Sequence, residues 1–150
     1  MNAVNDIEEA VRRRINQITK TVPGSIGDRM HFQLLRCDPD KGDFFMSCQT
    51  ALWMQNSAGT LHGGLCATIL DQAMGFISHC LKPGEGIVPT VHLEIDYHRP
   101  LIPGEDVLVK VHVISVTRSL LNLNAEAMQA STPDKVSFSG SGIYFYKPAE

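Results

Sequence analysis

Asn56-Ser57-Ala58-Gly59-Thr60-Leu61-His62-Gly63-Gly64-Leu65-Cys66-Ala67-Thr68-Ile69-Leu70-Asp71-Gln72-Ala73-Met74-Gly75, continued by Phe76-Ile77-Ser78-His79-Cys80-Leu81, is the stretch whose reading decides the fold. It opens with loop chemistry, since Asn56, Ser57 and Gly59 favour turns and Gly63-Gly64 allows a sharp bend and close backbone approach. From Gly64 to Leu81 there is no proline, and Lys82-Pro83-Gly84 is a helix stop. The segment between reads as a helix that is apolar or small at nearly every position, and therefore buried on most sides. Gly64, Ala67, Thr68, Asp71, Gly75 and Ser78 fall at three- and four-residue spacing and share one small, polar face. A carboxylate on such a helix is costly unless it is hydrogen-bonded or put to use.

Outward from this helix the pattern changes. Upstream, Asn5-Asp6-Ile7-Glu8 offers a cap and an acidic first turn, and Ile7, Val11, Ile15 and Ile18 recur at helical spacing until Val22-Pro23-Gly24. Arg12, Arg13 and Arg14 are read as a solvated face of this short helix. His31–Cys37 and Phe44–Trp53 read as two strands around the turn Asp38-Pro39-Asp40-Lys41-Gly42-Asp43. Downstream, Thr90–Tyr97 alternates with apolar odd positions, as a half-buried antiparallel strand does. Val107–Val116, Leu121–Ala127 and Val136–Tyr146 complete four strands, with Gly140 and Gly142 marking a bend or a close approach in the last. The fold class is α+β: a sheet that curls around one central helix explains why that helix is apolar almost all round.

The 150 residues suit a single domain, with residues 1–22 as an N-terminal helical extension. Thirteen basic against sixteen acidic side chains argue against a nucleic-acid partner, which needs a basic excess. Asp71, Gln72 and His79 interrupt the most apolar segment, so no membrane insertion is expected. No apolar signal region opens the chain, and Cys37, Cys48, Cys66 and Cys80 form no C-x-x-C pair, so free structural thiols in the cytoplasm are expected. His31, His79, His92, His98 and His112 lack ligand spacing, and no metal site is expected.

Asn56-x-x-Gly59-x-x-His62-Gly63-Gly64, with Asp71 seven residues beyond the second glycine, resembles the signature of hotdog-fold acyl-CoA thioesterases of the phenylacetate-degradation type. Thr90-Val91-His92-Leu93-Glu94-Ile95-Asp96-Tyr97-His98-Arg99-Pro100 is similar to that family's strand after the helix, and Gly104-Glu105-Asp106-Val107 to the turn that follows. The resemblance covers roughly residues 30 to 146 and implies a hotdog fold, a long helix wrapped by a curved antiparallel sheet. It also implies a homodimer or a dimer of dimers with active sites at the subunit interface. Asp71 would act as nucleophile or as general base for water, with Asn56 positioning water or the carboxylate. The Gly63 amide would polarise the thioester carbonyl, and Thr90 would assist Asp71 from the opposing subunit. Thr117-Arg118-Ser119 departs from the pattern, because relatives often carry Gly before the basic residue; this bears on coenzyme A contacts and not on the chemistry.

Thioester hydrolysis needs a group that delivers water and donors for charge developing on the carbonyl oxygen. N–H groups at Gly63 and Gly64 would project from a helix N-terminus, an anion-friendly place. Losing one such donor costs about 3 kcal/mol of transition-state stabilisation. Each residue also has a plainer reading. Asp71 could be a locally satisfied buried carboxylate, Asn56 a turn residue, and His62 a shaper of the loop rather than a base. Gly64, Thr68, Arg99 and Arg118 are candidates for substrate contacts, beside a default of solvated surface for the two arginines. No cofactor is expected, coenzyme A being part of the substrate. Two other functions remain in view: a non-catalytic acyl-CoA-binding protein, and a hotdog dehydratase or hydratase using His62 with Asp71. Phe44, Phe45, Trp53, Met54, Met74 and Phe76 are either pocket or core, and both aryl and medium-chain acyl groups stay open.

Overall fold

A computed structural model describes residues 3–82 and 84–150. Pro83, part of the helix stop read from the sequence, lies outside the described residues. The elements in chain order are α1 (Ala3–Lys20), α2 (Ile26–Arg29), β1 (Gln33–Asp38), β2 (Asp43–Cys48), a 3-10 turn (Leu52–Met54), α3 (Gly63–Cys80), β3 (Thr90–Tyr97), β4 (Val107–Val116), β5 (Leu120–Gln129) and β6 (Val136–Phe145). The six strands form one antiparallel sheet in the order β1-β2-β4-β5-β6-β3.

Helix α3 lies against β2 to β6. Its Ile69, Leu70, Ala73, Met74 and Ile77 are fully buried, as are Met46, Val109, Val111, Leu121, Leu123 and Ala127 of the strands. Each Val, Leu, Ile and Met among these contributes about 1.5–3 kcal/mol when taken from water, so this one contact holds the sheet and helix together. The opposite side of α3 stays open: Gly64 is exposed, and Ala67, Thr68, Asp71 and Gly75 are half-buried. The expectation of burial on most sides therefore holds for one face only. Ser78, assigned to the polar face by spacing, is fully buried, because α1 packs against α3 and the open side is closed towards the helix C-terminus.

Helix α1 buries Val11 and Ile15 and is tied to β1 by polar contacts. Glu8 accepts the Cys37 amide at 2.8 Å, and the Arg12 guanidinium donates to the carbonyls of Leu34 and Leu35. Arg12 is thus a clasp across the outer strand rather than only a solvated charge, and it shields a sheet edge that would otherwise be open to pairing. Among the described residues no helix is long and apolar enough to cross a membrane.

The second expected strand, Phe44–Trp53, stops at Cys48. Thr50 ends it: its hydroxyl donates to the Glu105 carbonyl at 2.7 Å and accepts the Gly104 amide at 2.9 Å, turning the chain into the Leu52–Met54 turn. Helix α2, which the sequence reading passed over, is capped by Ser25 accepting the Asp28 amide. The expected alternation in β3 produces only partial burial at Leu93 and Ile95, while Val91 and Tyr97 are each 57% exposed. The strand sits at the end of the sheet, with β6 on one side and no strand among the described residues on the other.

Gly140 and Gly142 do mark close approaches. A Cβ on Gly140 would overlap the Glu94 carbonyl oxygen and lie 2.9 Å from Ile95 Cδ1, so β3 can pack onto β6 only because that side chain is absent. Gly140→Ala should therefore destabilise the fold by about 1–3 kcal/mol, read as a lower urea midpoint at unchanged slope. An unchanged midpoint would mean that β3 shifts freely.

Candidate active site

The loop before α3 is held by its own side chains. Asn56 Oδ1 accepts the amides of Ala58 (3.0 Å) and Thr60 (3.1 Å), and its Nδ2 donates to Thr60 Oγ1 at 2.9 Å. Asn56 thus shapes the 56–60 turn, in keeping with its plainer reading. His62 is the N-cap of α3, and its Nδ1 accepts the Gly64 amide at 3.0 Å. That contact uses the Gly64 N–H, so the pair of free amides expected at this terminus is reduced to one. The Gly63 N–H donates to no acceptor among the described residues, while its carbonyl accepts the Tyr97 hydroxyl at 2.7 Å.

Asp71 lies eight residues beyond Gly63, roughly 12 Å along the helix axis at about 1.5 Å per residue. Its Oδ1 accepts the Thr90 hydroxyl at 2.8 Å and the Tyr144 hydroxyl at 3.0 Å; Tyr144 also lies 3.2 Å from the Asp71 main-chain carbonyl. The Thr90 that meets Asp71 belongs to the same chain, not to an opposing subunit as the resemblance implied. The reason is topological: β3 is antiparallel to β6, and both lie against α3, so the first residue of β3 falls beside the third turn of the helix.

A cavity of about 210 Å³ opens beside Asp71 and Thr90, walled by Ile18 of α1, Phe76, Val88, Gln72 and His79. Burial pushes the His79 imidazole below its ordinary range, and the Arg14 charge acts in the same direction. Burial likewise pushes the Tyr144 hydroxyl far up, reinforced by the Asp71 charge and by the hydrogen bond to it. Tyr144 is therefore a permanent donor. Of the candidate pocket residues, Phe44, Met54 and Met74 are core, Phe76 reaches the cavity, Trp53 is exposed, and Phe45 lies under the Arg36 guanidinium at 3.5 Å.

One chain therefore brings Asp71 and Thr90 together, and separately brings together Asn56, His62 and Gly63. The two groups are not joined. Thr68 returns its hydroxyl to the Gly64 carbonyl at 2.9 Å. Arg99 donates to the Val136 carbonyl at 2.8 Å, and Arg118 is exposed in the turn between β4 and β5, distant in sequence from both groups. The sequence reading missed Tyr144, Gln72 and His79. Gln72 and His79 could have been found from their helical spacing to Asp71 and Gly75. Tyr144 could not, since 73 residues separate it from its partner.

The four cysteines are free thiols. Burial pushes Cys48 and Cys80 up to about 12 and Cys66 to about 11, which makes them poor nucleophiles.

Comparison with known proteins agrees with this architecture. Acyl-coenzyme A thioesterase 13 from Homo sapiens is 32% identical over 77 residues, covering 51% of this chain and 54% of that protein, so the match spans about half the relative's length. The Mus musculus protein of the same name is 26% identical over 122 residues, covering 80% of this chain and 84% of the relative. The structure of the E. coli PaaI protein from the phenylacetic acid degradation operon superposes with a TM-score of 0.78 at 12% identity, over 95% of this chain and 97% of that one. A Streptococcus mutans protein solved bound to acetyl CoA superposes with a TM-score of 0.67 at 17% identity, over 80% and 91%. These likenesses establish the fold. The model of the thioesterase superfamily matches residues 58–134, just over half of the chain and the whole of α3 with β3 to β5, and the chain belongs to that superfamily.

Proposed function

We propose that this chain hydrolyses acyl-CoA thioesters at sites completed by two subunits, with Asp71 and Thr90 from one and the Gly63 amide from the other. The observation that carries this reading is the separation within one chain. The free Gly63 N–H and the Asp71 carboxylate stand roughly 12 Å apart along α3, too far to flank a single carbonyl carbon. A two-fold related copy that presents its α3 N-terminus to Asp71 of the first resolves this, and the symmetry of an isologous contact then completes both sites at once. The outer edge of β3 offers the surface for such a contact, with an unpaired backbone ladder and exposed Val91 and Tyr97. Tyr97 also touches Gly63, which links that edge to the amide. Dimer and dimer of dimers both use this contact.

In the base route, the Asp71 carboxylate takes a proton from water as the oxygen adds to the thioester carbonyl. The resulting oxyanion accepts the Gly63 N–H. Collapse expels the coenzyme A thiolate, which recovers the proton from Asp71 and leaves as the thiol with the free acid. In the nucleophile route the same carboxylate adds directly and expels the coenzyme A thiolate, giving an acyl anhydride. Water then cleaves the anhydride to the free acid and the Asp71 carboxylate, and the proton released goes to the thiolate. No cofactor enters either route. The acyl group occupies the cavity beside Asp71. At about 210 Å³ it falls below the roughly 300–1,000 Å³ of pockets for drug-sized ligands, which favours compact aryl or medium-chain acyl groups. Free, deeply buried thiols favour a reducing, cytoplasmic setting.

Three measurements test this reading. Asp71→Asn should lower kcat about 10²–10⁴-fold in a thiol-release assay while leaving the circular dichroism spectrum unchanged; wild-type turnover in this variant would sink the assignment. Gly63 occupies the first helical position, where proline is tolerated, so Gly63→Pro deletes the N–H with little harm to the helix. Co-expressed Asp71→Ala and Gly63→Pro chains should regain activity that neither variant has alone, since mixed dimers hold one intact site; no rescue would refute a shared site. Ile18→Trp should shift preference towards smaller acyl groups by about tenfold in kcat/KM, whereas an unchanged profile across aryl- and alkyl-CoA substrates would place the acyl group elsewhere.

A further inference from the structure

We propose that Tyr144 is a positioning residue for hydrolysis: with Thr90 it clamps Asp71 Oδ1 and so assigns Oδ2 as the oxygen that meets water or the thioester. The proposal rests on the acyl-CoA hydrolase reading of the site and adds a residue to it.

Both donors to the Asp71 side chain land on the same atom. Thr90 Oγ1 lies 2.8 Å and Tyr144 Oη 3.0 Å from Oδ1, and Oδ2 accepts no hydrogen bond from the described residues. Tyr144 also reaches the Asp71 main-chain carbonyl at 3.2 Å, so one hydroxyl ties the side chain to its own backbone. A carboxylate held through one oxygen by two donors, from β3 and from β6, has lost its freedom to rotate. The remaining oxygen points with a set direction, which is what a group that must meet a bound reactant requires.

The surrounding chain is built to admit this ring. Tyr144 is 1% exposed. A Cβ on Gly142 would lie 2.7 Å from Tyr144 Cε2 and 3.0 Å from its hydroxyl, and one on Gly75 would lie 3.7 Å from Cε1. Glycine at 142 leaves the volume that the tyrosine fills, and glycine at 75, one turn beyond Asp71, lets the ring approach the helix. A buried tyrosine whose only need was packing would do as well as phenylalanine. Here the hydroxyl spends both its contacts on Asp71, and no other described group bonds to it.

Tyr144→Phe removes the hydroxyl and keeps the ring, so the fold should survive with a thermal midpoint within a few degrees of wild type. We expect kcat to fall about tenfold with KM within about twofold, as for loss of a supporting contact to a reacting group. In the Asp71→Asn background the same change should have no further effect, since Tyr144 acts through the carboxylate. Wild-type kcat in Tyr144→Phe would overturn the proposal. Crystal structures of wild type and Tyr144→Phe provide a readout without turnover. Asp71 should occupy one rotamer in the first and a shifted or divided set in the second; an identical single rotamer in both overturns the clamp. If the wild-type protein cleaves neither aryl- nor alkyl-CoA thioesters, the hydrolase reading fails while these structures still decide whether Tyr144 positions Asp71.

Discussion

Helix α3 has to satisfy two opposed demands along its 18 residues. One side must be apolar enough to hold five strands of the sheet, and the other must present a carboxylate without leaving it unsolvated or unpaired. Ile69, Leu70, Ala73, Met74 and Ile77 meet the first demand. Asp71 meets the second because it falls between them on the open side, where β3 and β6 deliver hydroxyl donors to it. Placed one residue earlier at Leu70, or two later at Ala73, a carboxylate would be fully buried and carry an uncompensated desolvation cost.

The rest of the architecture follows from that arrangement. Burying α3 under a sheet whose last strand is β3 leaves β3 as an edge, and with it an apolar surface and an unpaired ladder. The same geometry separates the helix N-terminus from the carboxylate by about two turns. The chain thus carries the Gly63 amide and the Asp71 carboxylate at separate places along α3, beside a sheet edge at β3. The opposite end of the sheet is handled differently: Arg12 and Glu8 of α1 cover β1.

Much of this was legible in the chain because it depends on local rules. The proline-free apolar run after Gly63-Gly64 specifies a helix, and the alternation of Val107, Val109, Val111 and Val113 specifies a strand, since each side chain's direction follows from backbone period alone. The strand boundaries at Cys48 and the short helix at Ile26–Arg29 were less legible. They depend on Thr50 meeting Glu105 and on one serine cap, and the first of these joins residues 55 apart.

By itself the sequence determined that this chain has one long central helix and six strands, and that His62, Gly63 and Asp71 stand at a spacing that resembles the hotdog thioesterases, because those features are written in spacing. Only the tertiary structure decided which chain's Thr90 reaches Asp71, that His62 withdraws the Gly64 amide while leaving that of Gly63, and that Tyr144 stands over the carboxylate. Those are distances between residues up to 73 positions apart. They are set by strand order and register, which periodicity does not encode, because the same alternating strands can be paired in more than one order.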